Sequence, residues 1–169
     1  MCAHCLSHGA KLVARRPTTS KPPAPRSPER RFTVDASVFV NAFNAHETGH
    51  AASLKLLSVI HDRGDPIIVP TLFVSEVASA VARASDDTAG ALEYVDAITA
   101  LPNVTLVTMT PAVARQAALL AATHRLRGAD AVYVAVALRY ATVLVTRDIE
   151  QGARGPAAVT WQTPEEALS

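Results

Sequence analysis

From residue 32 onward, short apolar runs alternate with longer segments whose apolar positions recur at helical spacing. Phe32, Thr33 and Val34 predict a strand, and Asp35, Ala36 and Ser37 lead out of it towards a helix. Residues 38–44 fit a short helix and 51–61 a longer one, with Leu54, Leu57 and Val59 as apolar positions. Gly64, Asp65 and Pro66 form a turn signal. Ile67, Ile68 and Val69 predict a second strand, closed by Pro70. Thr71 is placed to cap a helix running through Ala84, and a further helix spans about 87–101, stopped before Pro102. Residues 104–107 predict a third strand. Thr110 followed by Pro111 is a strong helix start, the hydroxyl as cap and proline at the first helical position. That helix reaches about Leu126, Gly128 breaks it, and another opens at Asp130 and ends at Tyr140. A fourth strand is expected at 142–145 and a fifth at 159–161.

The strands are short, β-branched and without polar alternation, the pattern of strands covered on both faces. Helices between them imply right-handed crossovers and a parallel sheet, so the fold class is α/β.

Composition adds an asymmetry. Residues 1–31 carry seven Lys and Arg against Glu29 alone, a net charge of +6, and leave −5 on the remainder of a chain whose formal total is +1. With Pro22, Pro23 and Pro25 and little that is apolar, residues 1–31 read as a disordered basic tail, and 32–169 as one domain. The longest purely apolar run, 131–138, is far shorter than the roughly 20 residues a bilayer span needs. The N-terminus lacks the apolar core of a signal peptide, so the expected location is cytoplasmic, with no membrane contact.

The chemistry rests on acids. In an open parallel sheet, sites form where strands end at their carboxyl edge. Asp35 follows the first strand and Asp148 the fourth; Asp130 opens an apolar helix, and Glu76 lies in the second turn of the helix after strand two. Taken singly, Asp35 and Asp130 read as helix caps, Asp148 as a turn residue and Glu76 as part of a solvated stripe with Ser75, Ser79 and Arg83. Taken together they form a candidate metal site. Two carboxylates about 5 Å apart repel by about 3 kcal/mol at an effective dielectric near 20. Protons or cations must compensate. Oxygen donors without His or Cys suit Mg²⁺ or Mn²⁺, ions that chiefly serve phosphate chemistry. Asp130 is the hardest to read as a mere cap, because the helix behind it is apolar all round and should be buried.

The order strand-Asp35-x-Ser37, Ser75-Glu76 on a helix, Asp130-Ala131-x-Tyr133-x-Ala135-x-Ala137, then Leu144-x-Thr146-x-Asp148 resembles the PIN domain, and in size and loop lengths the VapC toxins of bacterial toxin–antitoxin pairs. The resemblance covers residues 32 to about 161. It implies a three-layer α/β/α sandwich and a Mg²⁺- or Mn²⁺-dependent endoribonuclease, the toxin of a type II pair. It also implies homodimerisation and a cognate antitoxin. Asp35, Glu76, Asp130 and Asp148 match the family's four acids, Asp35 and Asp130 as principal metal ligands, with Ser37 and Thr146 as supporting hydroxyls. Many relatives carry Asn within a turn of the glutamate; here Val77, Ala78, Ser79 and Ala80 stand there, which leaves the hydrogen bonding around Glu76 open. Arg127, Arg147 and Arg154 lie near the acids in sequence and are candidates for contact with RNA phosphates. The alternatives are a PIN nuclease of RNA processing outside toxin–antitoxin biology and a non-catalytic PIN-like binding module.

Two further motifs carry less. His46-Glu47-Thr48-Gly49-His50 matches the HExxH pattern of zinc proteases, but Gly49 weakens the required helix, and Ser53 and Leu56 stand where the extended motif has Gly and His. Cys2, His4, Cys5 and His8 could clip a metal but lack any following framework.

Overall fold

Five parallel strands lie side by side in the order β3-β2-β1-β4-β5 in the computed structural model, which describes residues 30–169. What the sequence predicts for residues 1–29, including the Cys/His cluster, lies outside the described residues. The strands are β1 (Phe32–Val34), β2 (Ile67–Pro70), β3 (Val104–Val107), β4 (Val143–Val145) and β5 (Trp161–Gln162). Helices α1 (Ala36–Phe43) and α2 (His50–Arg63) connect β1 to β2, and α3 (Leu72–Ser85) and α4 (Thr88–Thr99) connect β2 to β3. Helices α5 (Pro111–His124) and α6 (Gly128–Tyr140) return the chain to β4; α7 (Ile149–Arg154) leads to β5, and α8 (Pro164–Ala167) follows it. Arg30 and Arg31 are held against the sheet: the Val143 amide donates to the Arg31 carbonyl at 2.9 Å, and the Arg30 guanidinium lies over the Phe32 ring.

The architecture is the expected α/β one, with helices on both faces of the sheet. Helices α1 to α4 pack on one another, whereas α5 packs on α6, and α6 packs on β1, β2 and β4. Right-handed crossovers put the two groups on opposite faces. Central strands covered on both sides must bury every residue, and β1 and β2 do so throughout. A polar residue there needs an internal partner. Thr33 finds one in Thr142, their hydroxyls 2.6 Å apart. Helix α6 is buried continuously from residue 131 to 137, as its unbroken apolar composition predicts. Edge strand β3 exposes Thr105 and Leu106.

The differences from the sequence expectation are local. Helix α6 starts at Gly128 with Arg127 at the cap position, so Asp130 lies in its first turn and is not its cap. Glycine costs helical stability only in an interior; here the helix begins on it. Thr71 adopts helical backbone angles, and its side chain makes no cap bond. Thr110 does cap α5, accepting from the Val113 amide at 3.3 Å. The fifth strand forms at Trp161 and Gln162 because these pair with Leu144 and Val145, while Val159 turns back on Pro156. Neither α7 nor α8 was anticipated. Both are too short for a periodic pattern to show. The first is held by packing, since Gly152 lies directly against the Trp161 ring.

No Cβ fits at Gly152 without displacing that ring. Gly152→Ala is therefore expected to destabilise the domain by about 1–3 kcal/mol, as overpacking does elsewhere. Urea denaturation measures this; an unchanged midpoint would show that α7 can move away freely.

Candidate active site at the carboxyl edge of the sheet

The chain leaves β1 towards β2 and returns across the sheet to enter β4, so β1 and β4 are neighbours whose exits diverge. A crevice opens at such a switch point. The Asp35 amide still donates to the Val145 carbonyl at 2.9 Å, which sets the last residue of the β1 exit beside the β4 exit. A cavity of about 630 Å³ opens there, walled by Asp35, Glu76, Asp130 and Asp148. Four acids from a strand exit, two helices and a loop thus share one cavity.

Asp35 caps α1: its Oδ1 accepts from the Ser37 amide at 2.8 Å, and its Oδ2 from Gln151 Nε2 at 3.3 Å. It is 8% exposed. Burial raises its carboxyl above the usual range, bonds from Ser37 and Gln151 pull the other way, and the charge of Asp148 adds to the rise. Glu76 is also raised, first by burial and then by the charges of Asp35 and Asp130, against a hydrogen bond from Tyr133. The Tyr133 hydroxyl donates to Glu76 Oε2 at 2.6 Å. Burial holds that phenol's proton firmly in place, which fixes it as the donor. Asp130 is raised by burial and by Asp35 and Asp148, with Arg127 opposing. Asp148 caps α7, its Oδ1 accepting from the Gln151 amide at 3.0 Å, while Oδ2 stands 3.8 Å from Arg127.

The acids therefore press on one another's charge without closing a cage. Among the described residues, no three His, Cys, Asp or Glu side chains are gathered tightly enough to hold one ion between them. The donor set is all oxygen, the acids repel, and the cavity has room for water. Those properties fit a hydrated hard cation, which keeps several of its waters and needs only one or two carboxylates.

The chain matches the PIN domain family over residues 32–154. It belongs to that family. No curated protein sequence matches it. Solved structures share the fold at low identity. VapC20 of Mycobacterium tuberculosis, described as a sarcin–ricin loop cleaving toxin, is 19% identical, with 76% of this chain and 98% of that chain covered and a TM-score of 0.64. VapBC2 of Rickettsia felis, bound to a DNA fragment from its promoter, is 14% identical, with 78% and 97% covered and a TM-score of 0.61. PAE2754 of Pyrobaculum aerophilum is 21% identical, with 82% and 94% covered and a TM-score of 0.59.

Within this PIN domain the two hydroxyls brace the β4 exit. Ser37 Oγ accepts from the Arg147 amide at 3.3 Å, and Thr146 Oγ1 from the Asp148 amide at 3.0 Å. Ser37 also lines the cavity; Thr146 is fully buried beneath it. Of the three arginines singled out by sequence, only Arg127 lines the cavity. Arg147 bonds Glu165 at 3.1 Å, and its guanidinium fills the space above Gly49, whose φ of +85° already excludes most side chains. Arg154 pairs with Glu150 and donates to the Arg125 carbonyl at 2.9 Å. Nearness in sequence to Asp148 did not determine where these two point.

Three residues at the site were not singled out. Arg83 lines the cavity beside Ser79, to which it donates. It is seven residues after Glu76, hence on the same helix face, and that stripe reads as solvated from sequence alone. Tyr133 is one turn beyond Asp130 and supplies the partner that the neighbours of Glu76 do not. Gln151 follows Asp148 by three residues in the unanticipated α7. The HExxH segment forms a loop: Glu47 accepts from Asn41 and Asn44, and His50 Nδ1 lies 3.1 Å from the Asn41 carbonyl. His46 lies before α2 begins, so the two His are not on one helix face, as zinc binding at that spacing requires.

With no cation, folded acids of raised pKa keep protons that the unfolded chain has released. Stability therefore falls as pH rises from about 4 through the raised values of Asp35, Glu76 and Asp130. Asp130→Asn removes one of the repelling charges. In EDTA near neutral pH its melting temperature is expected to exceed that of the wild type, with a shallower decline from acidic pH. A lower melting temperature at neutral pH would mean that Asp130 is held by attraction.

Proposed function

We propose that this PIN domain is a Mg²⁺- or Mn²⁺-dependent endoribonuclease and the toxin of a type II toxin–antitoxin pair. The observation that carries the reading is the single cavity shared by Asp35, Glu76, Asp130 and Asp148 at the sheet's switch point. Asp35 and Asp130 would hold the ion, with Glu76 and Asp148 reached directly or through water. The bound ion supplies Lewis acidity, which activates water and offsets charge building on a phosphodiester. The chain's own residues do the rest. Ser37 and Gln151 fix the Asp35 carboxylate from two sides, and Tyr133 fixes Glu76. Arg127 and Arg83 are the cations in the cavity wall, where a phosphate backbone must pass a strongly acidic centre.

The toxin reading draws on the neighbours: one is described as a toxin that cleaves the sarcin–ricin loop, and another as a toxin–antitoxin complex from Klebsiella pneumoniae. A cognate antitoxin, homodimerisation and a cytoplasmic location belong to the same proposal. No helix among the described residues is long and apolar enough to cross a membrane.

Purified protein is expected to cut RNA with Mg²⁺ or Mn²⁺ and to stop in EDTA. Asp35→Asn and Asp130→Asn should each lower cleavage by about 10²–10³-fold, the usual cost of removing one group that meets transition-state charge. Undiminished cleavage by both would reject the site. Growth arrest on expression, abolished by Asp35→Asn, separates a toxin from a processing nuclease.

Arg83→Ala is expected to raise KM for RNA several-fold with kcat nearly unchanged. The slope of log affinity against log salt should flatten by about 0.7, the value for one phosphate contact on a single strand. An unaltered slope would return Arg83 to the solvated face.

A further inference from the structure

Gln151 is the one amide among the largest fully buried side chains of the described residues, 1% exposed. Its amide is half satisfied. Nε2 donates to Asp35 Oδ2 at 3.3 Å and to the Asp130 carbonyl at 3.4 Å, while Oε1 is buried with no partner. A buried carbonyl without a donor costs stability, and an apolar side chain of similar size would fill the same space without that cost. What such a side chain cannot provide is the pair of N–H groups turned to the two acids. One reaches the carboxylate at the end of β1, and the other reaches the backbone in the first turn of α6. The amide is thus a strut between the two residues assigned above as principal metal ligands. With the Ser37 amide on Oδ1 and Gln151 on Oδ2, each Asp35 oxygen has one donor, which fixes the plane of the carboxylate.

We infer that Gln151 is a positioning residue that sets the Asp35 carboxylate and its spacing from Asp130 for divalent cation binding. This rests on the metal-dependent reading of the cavity. It also explains how α7, six residues long, contributes to the site: it carries the strut and is itself capped by Asp148.

The experiment compares full-length wild type, Asp35→Asn, Gln151→Met and Gln151→Leu. Mn²⁺ affinity is read by titration calorimetry on metal-free protein, and melting is followed in EDTA. Wild type should bind Mn²⁺ and Asp35→Asn should not. Gln151→Met sheds the orphan carbonyl but takes a donor from Asp35 Oδ2, and because the two effects oppose each other it should stay folded with a melting temperature near that of wild type. It should nevertheless bind Mn²⁺ about tenfold more weakly, the scale on which residues that orient metal ligands act. In RNA cleavage at fixed Mn²⁺ its kcat should fall while KM for RNA holds. Wild-type Mn²⁺ affinity in a folded Gln151→Met protein overturns the inference and leaves the metal reading standing. Absence of Mn²⁺ binding by the wild type overturns both. If Gln151→Met fails to fold, Gln151→Leu is read in its place. Loss of the fold in both variants overturns the inference, because it shows that the amide bonds hold the fold as a whole and are not specific to the placing of Asp35.

Discussion

Between residues 131 and 137 helix α6 has no solvent face, and much of the domain is arranged around that fact. Seven consecutive residues from 131 to 137 are buried, so the helix needs cover on every side. The sheet gives one side through β1, β2 and β4, and α5 gives another. A helix enclosed in this way can neither shift nor rotate without opening voids in a close-packed interior. Its first turn, with Asp130, is therefore fixed against the strand exits. Tyr133 is fixed by the same packing, and through its hydroxyl so is Glu76. The burial of one apolar helix thereby orients two of the four acids.

The other two acids are oriented by cap bonds. Asp35 and Asp148 are both helix N-caps, and both wall the cavity. The structural and the chemical readings of these aspartates are therefore compatible, because an N-cap bond engages one oxygen and leaves the other for a further partner, Gln151 at Asp35 and Arg127 at Asp148. The gathering of acids opposes folding. Burial and like charge raise three of them, and this strain is the kind that functional sites carry at the expense of stability.

Much of this was legible in the sequence, for identifiable reasons. Strand exits followed by Asp, and a run without any polar face, are signals that survive without coordinates, and they located β1, β4 and α6. Features that depend on tertiary contact were not legible. Helix α7 is six residues with a glycine inside, and nothing in its pattern separates it from loop, so Gln151 went unnoticed with it. Arg83 was visible but ambiguous, since a cavity wall and a solvated face have the same polar composition. Arg147 and Arg154 show the converse: the first adjoins Asp148 and the second follows it by six residues, yet each is engaged elsewhere, by Glu165 and by Glu150. Asp130 was located as a residue but misplaced by two positions relative to the helix start, because Gly128 reads as a breaker and acts as a first residue.

The Asp35–Gln151 bond joins positions 116 residues apart. The bond from Arg147 to Ser37 spans 110 and that from Tyr133 to Glu76 spans 57. Contacts of such separation carry a loop-closure cost that bonds within a helix do not, and it must be met before they can contribute. Fragments that stop before β4 pairs with β1 can hold helices and even part of the sheet, but they lack the exit that carries Asp148 and Gln151. The cavity thus exists only when the chain from β1 to α7 is assembled, and a growing or partly unfolded chain has the acids without the site.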